Sequence, residues 1–370
     1  MTEEELYYTL ALSQVEGVGS IIARRLIDYF GSAKDALSAS NTDLVQVHNV
    51  GSTLLNKLAK KDIYHKAEVE LKRIQEYGLT PIYYKNSDYP YLLNQCMDAP
   101  VLFFSSVSNH NWNNRKTISI IGTRYATSRG ISFCKQLIAD LKAYDPIIVS
   151  GLAYGIDVTA HQAALDNGLT TYAVLGNPLN TVYPEAHSSI ARKIEQSGGA
   201  LLSEFWISQK VERENFIQRN RIVAGISQAT IVIESAIKGG SMSTITFAND
   251  YNRDVFAVPG RVGDVMSAGC NEIIRSNRAQ LLTSATDIVE ALNWDKLEKK
   301  QKVIQPQLFV DLSQDEERIY NFLLANNKDI LDSIALGVEM PIYKVSSTLL
   351  NLELKGLVRP LPGKYFELIA

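Results

Sequence analysis

Seven short apolar runs, TISIIG, PIIVSG, TTYAVLG, ALLSEF, ATIVIES, DVFAVPG and AQLLTS, follow one another from about residue 115, with helix-like stretches between them. Runs this short and this uniformly apolar suit strands buried on both faces, and the intervening helices supply the cover. The expected fold class is therefore α/β, with a central Rossmann-like, doubly wound, mostly parallel sheet occupying residues 76–295.

The flanks read differently. Residues 1–75 contain an approximate repeat, VEGVGSIIARRLIDYF echoed by VHNVGSTLLNKLAKKD, each Val-Gly-Ser leading into a helical apolar period. A helical domain of helix-hairpin-helix or SAM-like type is expected there. Gly17, Gly19 and Gly51 sit at its turns, where glycine either presents helix amides to a DNA phosphate or lets two helices pack closely. After Trp294 the charged segment DKLEKKQKVIQPQ reads as a linker, 296–309. Three helical segments and then LVRPLPGKYFEL, two strands about a Pro-Gly turn, describe a winged helix at 310–370.

The formal net charge of −3 removes bulk positive charge as a route to nucleic acid, so anion binding has to come from local clustering. Three widely spaced cysteines match neither a disulfide framework nor a metal site, and no metal or cofactor is expected. The acidic start MTEEEL and the lack of a long apolar run point to a cytoplasmic protein without a membrane span.

Several strands end in small or polar residues just before a helix, which places an anion-favouring crevice at their carboxyl ends. Gly122-Thr123-Arg124 projects Arg124 there, with Thr127 and Ser128 as caps of the next helix. The turn KGGSMST adds Lys238, Gly239, Gly240, Ser241 and Thr244, where glycines admit a phosphate to backbone amides. In FIQRNRIVAG, Arg219 and Arg221 flank Asn220, and Phe216 serves either as a stacking surface for a base or as core. Asp157 and His161, one helical turn apart, suit a catalytic pair or a structural cap and core histidine; no nucleophile accompanies them, and the structural role is expected. Neither a dinucleotide G-x-G-x-x-G turn nor a P-loop is present, and the crevice reads as a phosphodiester site without catalytic residues.

In this order, SGLAYGID followed by Ala160-His161, Tyr183-Pro184, FIQRNRIVAG, GGSMST and VFAVPG resemble the DNA-processing protein A family, also called Smf, over almost the whole chain. The resemblance implies a non-enzymatic protein of natural transformation and DNA recombination. It implies sequence-independent single-stranded DNA binding, protection of incoming strands, loading of the RecA recombinase, and a homodimer formed through the α/β domain. It carries DNA contacts onto Arg124 and Arg213, and matches Phe216, Arg219 and Arg221. The chain departs from the family pattern with Gly-Thr-Arg for Gly-Ser-Arg, with Ile217 for proline, with Gly239 for serine, and with Asn277-Arg278 for Gly-Ala.

Two rivals use the same crevice. KGGSMST is similar to the phosphate turn of nucleoside-monophosphate phosphoribohydrolases, but the following ITFANDYN lacks their glutamate; a nucleotide sensor is the other. In the winged helix the segment PIYKVSSTLLNLELKG carries few bases and acids outnumber bases across the domain, so protein contact or regulation is expected there rather than duplex binding.

Overall fold

The computed structural model describes residues 1–58, 62–295, 312–361 and 363–368. The expected linker, 296–309, lies outside the described residues. By internal contacts the chain divides into two compact units, Met1–Leu297 and Glu298–Ala370.

All seven apolar runs are strands of one nine-stranded sheet. In chain order the sheet contains β1 (Thr80–Tyr83), β2 (Leu102–Ser105), β3 (Thr117–Ile121), β4 (Ile147–Ser150), β5 (Thr171–Val174), β6 (Ala200–Ser203), β7 (Ala229–Val232), β8 (Asp254–Ala257) and β9 (Gln280–Leu281). Their spatial order is β1-β2-β6-β5-β4-β3-β7-β8-β9. β3 to β9 are mutually parallel, and β2 pairs antiparallel with β6 on one side and β1 on the other. Every residue of β3 to β7 is buried, which is why those runs lack a polar alternation.

The helical region does not have a core of its own. Leu10, Leu26 and Ile27 share one buried cluster with Phe103, Val149 and Ile222. Ile118, Ile148 and Phe256 face the other way, under the helices Ser128–Leu141 and Ile156–Asp166. The repeat yields the helices Ser20–Phe30 and Ser52–Leu58. Gly17 enters the first hairpin at φ +91°, a conformation costly for a residue with a Cβ.

Two features of the approach to the sheet escaped the sequence. Tyr91–Asn94 forms a single helical turn between β1 and β2. The Asn-rich stretch before β3 is anchored by Trp112, buried, stacked on His110 at 3.9 Å and donating to the Asp88 carbonyl at 2.8 Å.

In the second unit the helices Gln314–Asn326, Leu331–Gly337 and Ile342–Leu354 precede the hairpin β11 (Val358–Leu361) and β12 (Tyr365–Leu368). A third strand, β10 (Lys328–Ile330), pairs with β12. The winged-helix topology is as expected. Among the described residues no helix is long and apolar enough to cross a membrane, and no cluster of His, Cys, Asp or Glu is placed to hold a metal ion.

Candidate nucleic-acid interface

The chain leaves β3 toward β4 on one side, while β7 lies on the other, so the loops after β3 and β7 diverge at a topological switch point. These loops, together with the one after β4, are stitched through main chain. Thr123 N donates to Glu234 O at 2.7 Å, and Ile156 N to Thr123 O at 3.2 Å. Gly155, at φ +77°, passes so close that a Cβ would lie 2.2 Å from Thr123 O. Arg124 is carried on this rim, exposed and without an ion-pair partner among the described residues.

The anion seat at the switch point is already filled. Glu234 accepts from Thr127 N at 2.9 Å and Thr127 Oγ1 at 2.5 Å, at the start of the helix Ser128–Leu141. A side chain on Gly130 would collide with this carboxylate, 2.4 Å from Cδ. Thr127 is the cap, accepting from Gly130 N at 3.1 Å. The chain's own carboxylate thus uses the helix terminus that a nucleotide phosphate would need.

The helix Arg213–Ile226 brings a correction. Arg219 and Arg221, expected to grip phosphate, are each 5% exposed and turned inward. Arg219 Nη1 donates to Gly151 O at 2.9 Å and faces Asp157 across Gly151, where a Cβ would lie 2.5 Å from Arg219 Nη2 and 2.5 Å from Asp157 Oδ2. Burial pulls Arg219 down to about 10, with Asp157 opposing and neighbouring Arg124 adding to the fall. The same burial raises the Asp157 carboxyl, against the pull of Arg219. Arg221 pairs with Glu204 and donates to the Asp98 carbonyl. Both guanidinium groups answer buried carboxylates brought up by other loops, and a buried charge without such a partner is costly.

Asn220 is half-buried and donates to Ser243 Oγ at 2.9 Å and to Gly240 O at 3.5 Å, tying this helix to the turn after β7 and to the helix that follows it. In that turn Lys238 and Gly240 are exposed. Ser241 is buried instead, its Oγ 2.7 Å from Ser235 Oγ, which removes it as a surface donor. The helix Ser241–Asp250 starts at Gly240 with no side-chain cap, so its positive end is free to favour an anion beside Lys238. Arg213 is exposed at the first turn of its helix, flanked by exposed Glu212 and Glu214, which dilute its field.

Phe216 is half-buried. Its ring lies on the Gly176 backbone, where a Cβ would come within 2.5 Å of Cδ1, and its centroid is 5.3 Å from that of Tyr183. Asp157 and His161 are both buried, but Asp157 does not cap its helix, whose N-cap is Gly155 without a side-chain bond, and His161 Nε2 has no partner. His161 is fully buried with Nδ1 2.7 Å from Thr171 Oγ1. Thr171 spends its hydroxyl proton on Ile148 O at 2.7 Å, so it accepts from His161, which is therefore protonated on Nδ1. Burial lowers the imidazole to about 3. Sequence reasoning missed the exposed rings on this edge, Tyr125, Tyr154 and Tyr183. Tyr154 and Tyr183 lie inside the SGLAYGID and Tyr183-Pro184 motifs, which by themselves assign those rings no role.

In the winged helix, Lys344 of Ile342–Leu354 and Lys355 at its C-cap face acids of the domain, Lys344 with Asp315 at 2.7 Å and Lys355 with Glu316 at 2.8 Å. Its outward face carries Tyr343, Leu350 and Leu354, at 77%, 55% and 80% exposure, where a duplex reader needs cations.

A family model described as DNA recombination-mediator protein A matches residues 80–293, and one described as the DprA winged helix domain matches residues 305–364. Protein Smf of Synechocystis is 30% identical over 402 residues, covering 99% of this chain and 100% of that protein. The X-ray structure of DNA processing protein A from Streptococcus pneumoniae superimposes with a TM-score of 0.63 at 28% identity, over 80% of this chain and 99% of that one. DNA processing protein A from Helicobacter pylori, described for its single-stranded DNA binding mode, gives 0.52 at 25% identity, over 59% and 97%.

Proposed function

The chain belongs to the DNA recombination-mediator protein A family, and on that premise we propose that it binds single-stranded DNA along the carboxyl edge of its parallel sheet and acts in DNA processing during transformation. The observation that carries the reading is the exposed, unpaired Arg124 on a rim stitched through glycine contacts, with exposed rings and the Lys238 turn on the same strand-end edge. Cations that track a backbone and rings that take bases are the two requirements of a single-strand site.

The strand is held by Arg124, Lys238 and the amides at Gly240, with Arg213 at the margin and Phe216 as a stacking surface. Arg219, Arg221, Asn220 and Ser241 set the floor from below. Backbone contacts of this kind make binding largely independent of sequence. Protection of the strand, delivery to the RecA recombinase and a homodimer through the α/β domain complete the proposed role, and the winged helix serves protein contact rather than duplex binding.

Catalysis is not part of the reading. Glu234 is engaged at the Ser128–Leu141 terminus, and Asp157 and His161 are buried among internal partners. Fluorescence anisotropy with a labelled single strand tests the proposal. Binding that weakens steeply with salt and disappears in Arg124→Glu is expected; salt-independent binding, or an unaffected variant, rejects it.

A further inference from the structure

The helix Asp62–Glu76 turns one face, carrying His65, Lys66, Val69 and Arg73, toward a cavity of about 610 Å³. Across the cavity lies the loop after β6, with Glu204, Ser208 and Gln209 on the lining. Helix and loop are locked together. Glu70, fully buried on the same helix, accepts from Ile207 N at 2.6 Å, from Ser208 N at 3.2 Å and from Ser208 Oγ at 2.8 Å. One carboxylate shared by three donors on the loop makes the cavity between the two elements a fixed feature of the fold.

The charge on its lining is one-sided. Arg73 is half-buried and His65 exposed, and neither has an ion-pair or hydrogen-bond partner among the described residues. Lys66 meets Asp62 at 2.9 Å in an exposed pair, the kind that holds a lysine only loosely. Among the described lining residues the acid is Glu204, which is committed to Arg221. A guanidinium drawn partly out of water with no carboxylate beside it is complementary to an anion brought by a ligand.

The cavity also continues the strand-end edge. Glu204 directly follows β6, and β6 lies three strand spacings, about 14 Å, from β3 and the Arg124 rim. Gln218, on the helix that carries Arg213 and Phe216, lines the cavity and donates to Glu204 at 3.4 Å. We propose that this cavity holds a phosphodiester of the bound single strand between Lys66 and Arg73, so that the strand runs from the Arg124 rim past Phe216 and ends against the helical region. The inference rests on the single-strand reading and adds a second, separate anchor for the same polymer.

Anisotropy with labelled oligo(dT) of increasing length, on the full chain, tests it. The wild type is expected to gain affinity once the strand is long enough to reach from the rim to the cavity. Lys66→Ala combined with Arg73→Ala should bind the shortest strands as the wild type does and lack that gain. On long strands its slope of log affinity against log salt should fall by about 0.7, one phosphate contact. Lys66→Arg combined with Arg73→Lys keeps both charges and should keep the gain. An alanine pair with the wild-type length profile and salt slope overturns the proposal, and so does one that loses affinity equally at every length. A mononucleotide that displaces long strands from the wild type down to the affinity of the alanine pair assigns the cavity to a free nucleotide and likewise overturns it. Failure of the wild type to bind any strand removes the single-strand reading itself, a distinct outcome.

Discussion

Arg219 and Asp157 face each other across the Cα of Gly151, in a space that a single methyl group would close. Arg219→Met removes the cation opposite Asp157 and leaves the buried Gly151 carbonyl without its donor, and is expected to cost about 1–3 kcal/mol of stability. Gly151→Ala is expected to destabilise through the same contact by direct overlap. Urea unfolding measures both, and a loss under about 1 kcal/mol for Arg219→Met would contradict the buried-pair description.

Arg124 behaves oppositely. Exposed and unpaired, it contributes little to folding, so Arg124→Ala is expected to leave the melting temperature unchanged. Its loss should lower the slope of log affinity against log salt by about 0.7, one single-strand phosphate contact. A shifted melting temperature with an intact salt slope would assign Arg124 to the fold instead.

Phe216→Ala removes a stacking surface and is expected to weaken strand binding by about 1–3 kcal/mol. Gly176→Ala tests the same ring from beneath, because its new methyl must displace Phe216. Both variants should lose affinity together; a Gly176→Ala protein with normal affinity would show that the ring's position does not matter.

The buried histidine sets an acid limit. With the folded pKa of His161 depressed to about 3, the unfolded chain binds the extra proton between roughly pH 6.5 and 3, so this group's share of stability is present above pH 6.5 and is lost as pH falls. His161→Asn keeps a donor for Thr171 and has no imidazole to protonate. Its melting temperature should therefore fall less than that of the wild type between pH 7 and 4.5, a comparison that cancels the contrary slopes of Asp157 and Glu204, whose carboxyls are raised by burial.

For the winged helix, reversing Lys344 and Lys355 to Glu is expected to lower stability and leave duplex affinity unchanged, since both lysines face Asp315 and Glu316. A drop in duplex retention on a gel would restore that helix as a DNA reader.

The seven strands were legible because burial on both faces leaves an unbroken apolar signature, whereas their order in the sheet came only from the fold. The purpose of Gly155 and Gly176 shows only in the fold, where the backbone of one touches another loop and that of the other lies beneath a ring. What was not legible was direction. Arg219 and Arg221 bracket Asn220 in a pattern that looks like a surface clamp, and only tertiary folding brings Asp157 and Glu204 up beneath them. Tyr154 and Tyr183 escaped for the converse reason, because an aromatic residue beside an apolar strand reads as core until the loop geometry shows it half-exposed.

The glycine-mediated stitching between Thr123, Gly155 and Glu234 leaves the rim little freedom to reshape itself around an incoming polymer. Nearly all the disorder surrendered on complex formation must then come from the polynucleotide, whose torsions are frozen one nucleotide at a time. Tighter complexes should accordingly be reached by stiffening the ligand, for instance with conformationally locked sugars, rather than by rigidifying a scaffold that has almost no slack left to remove.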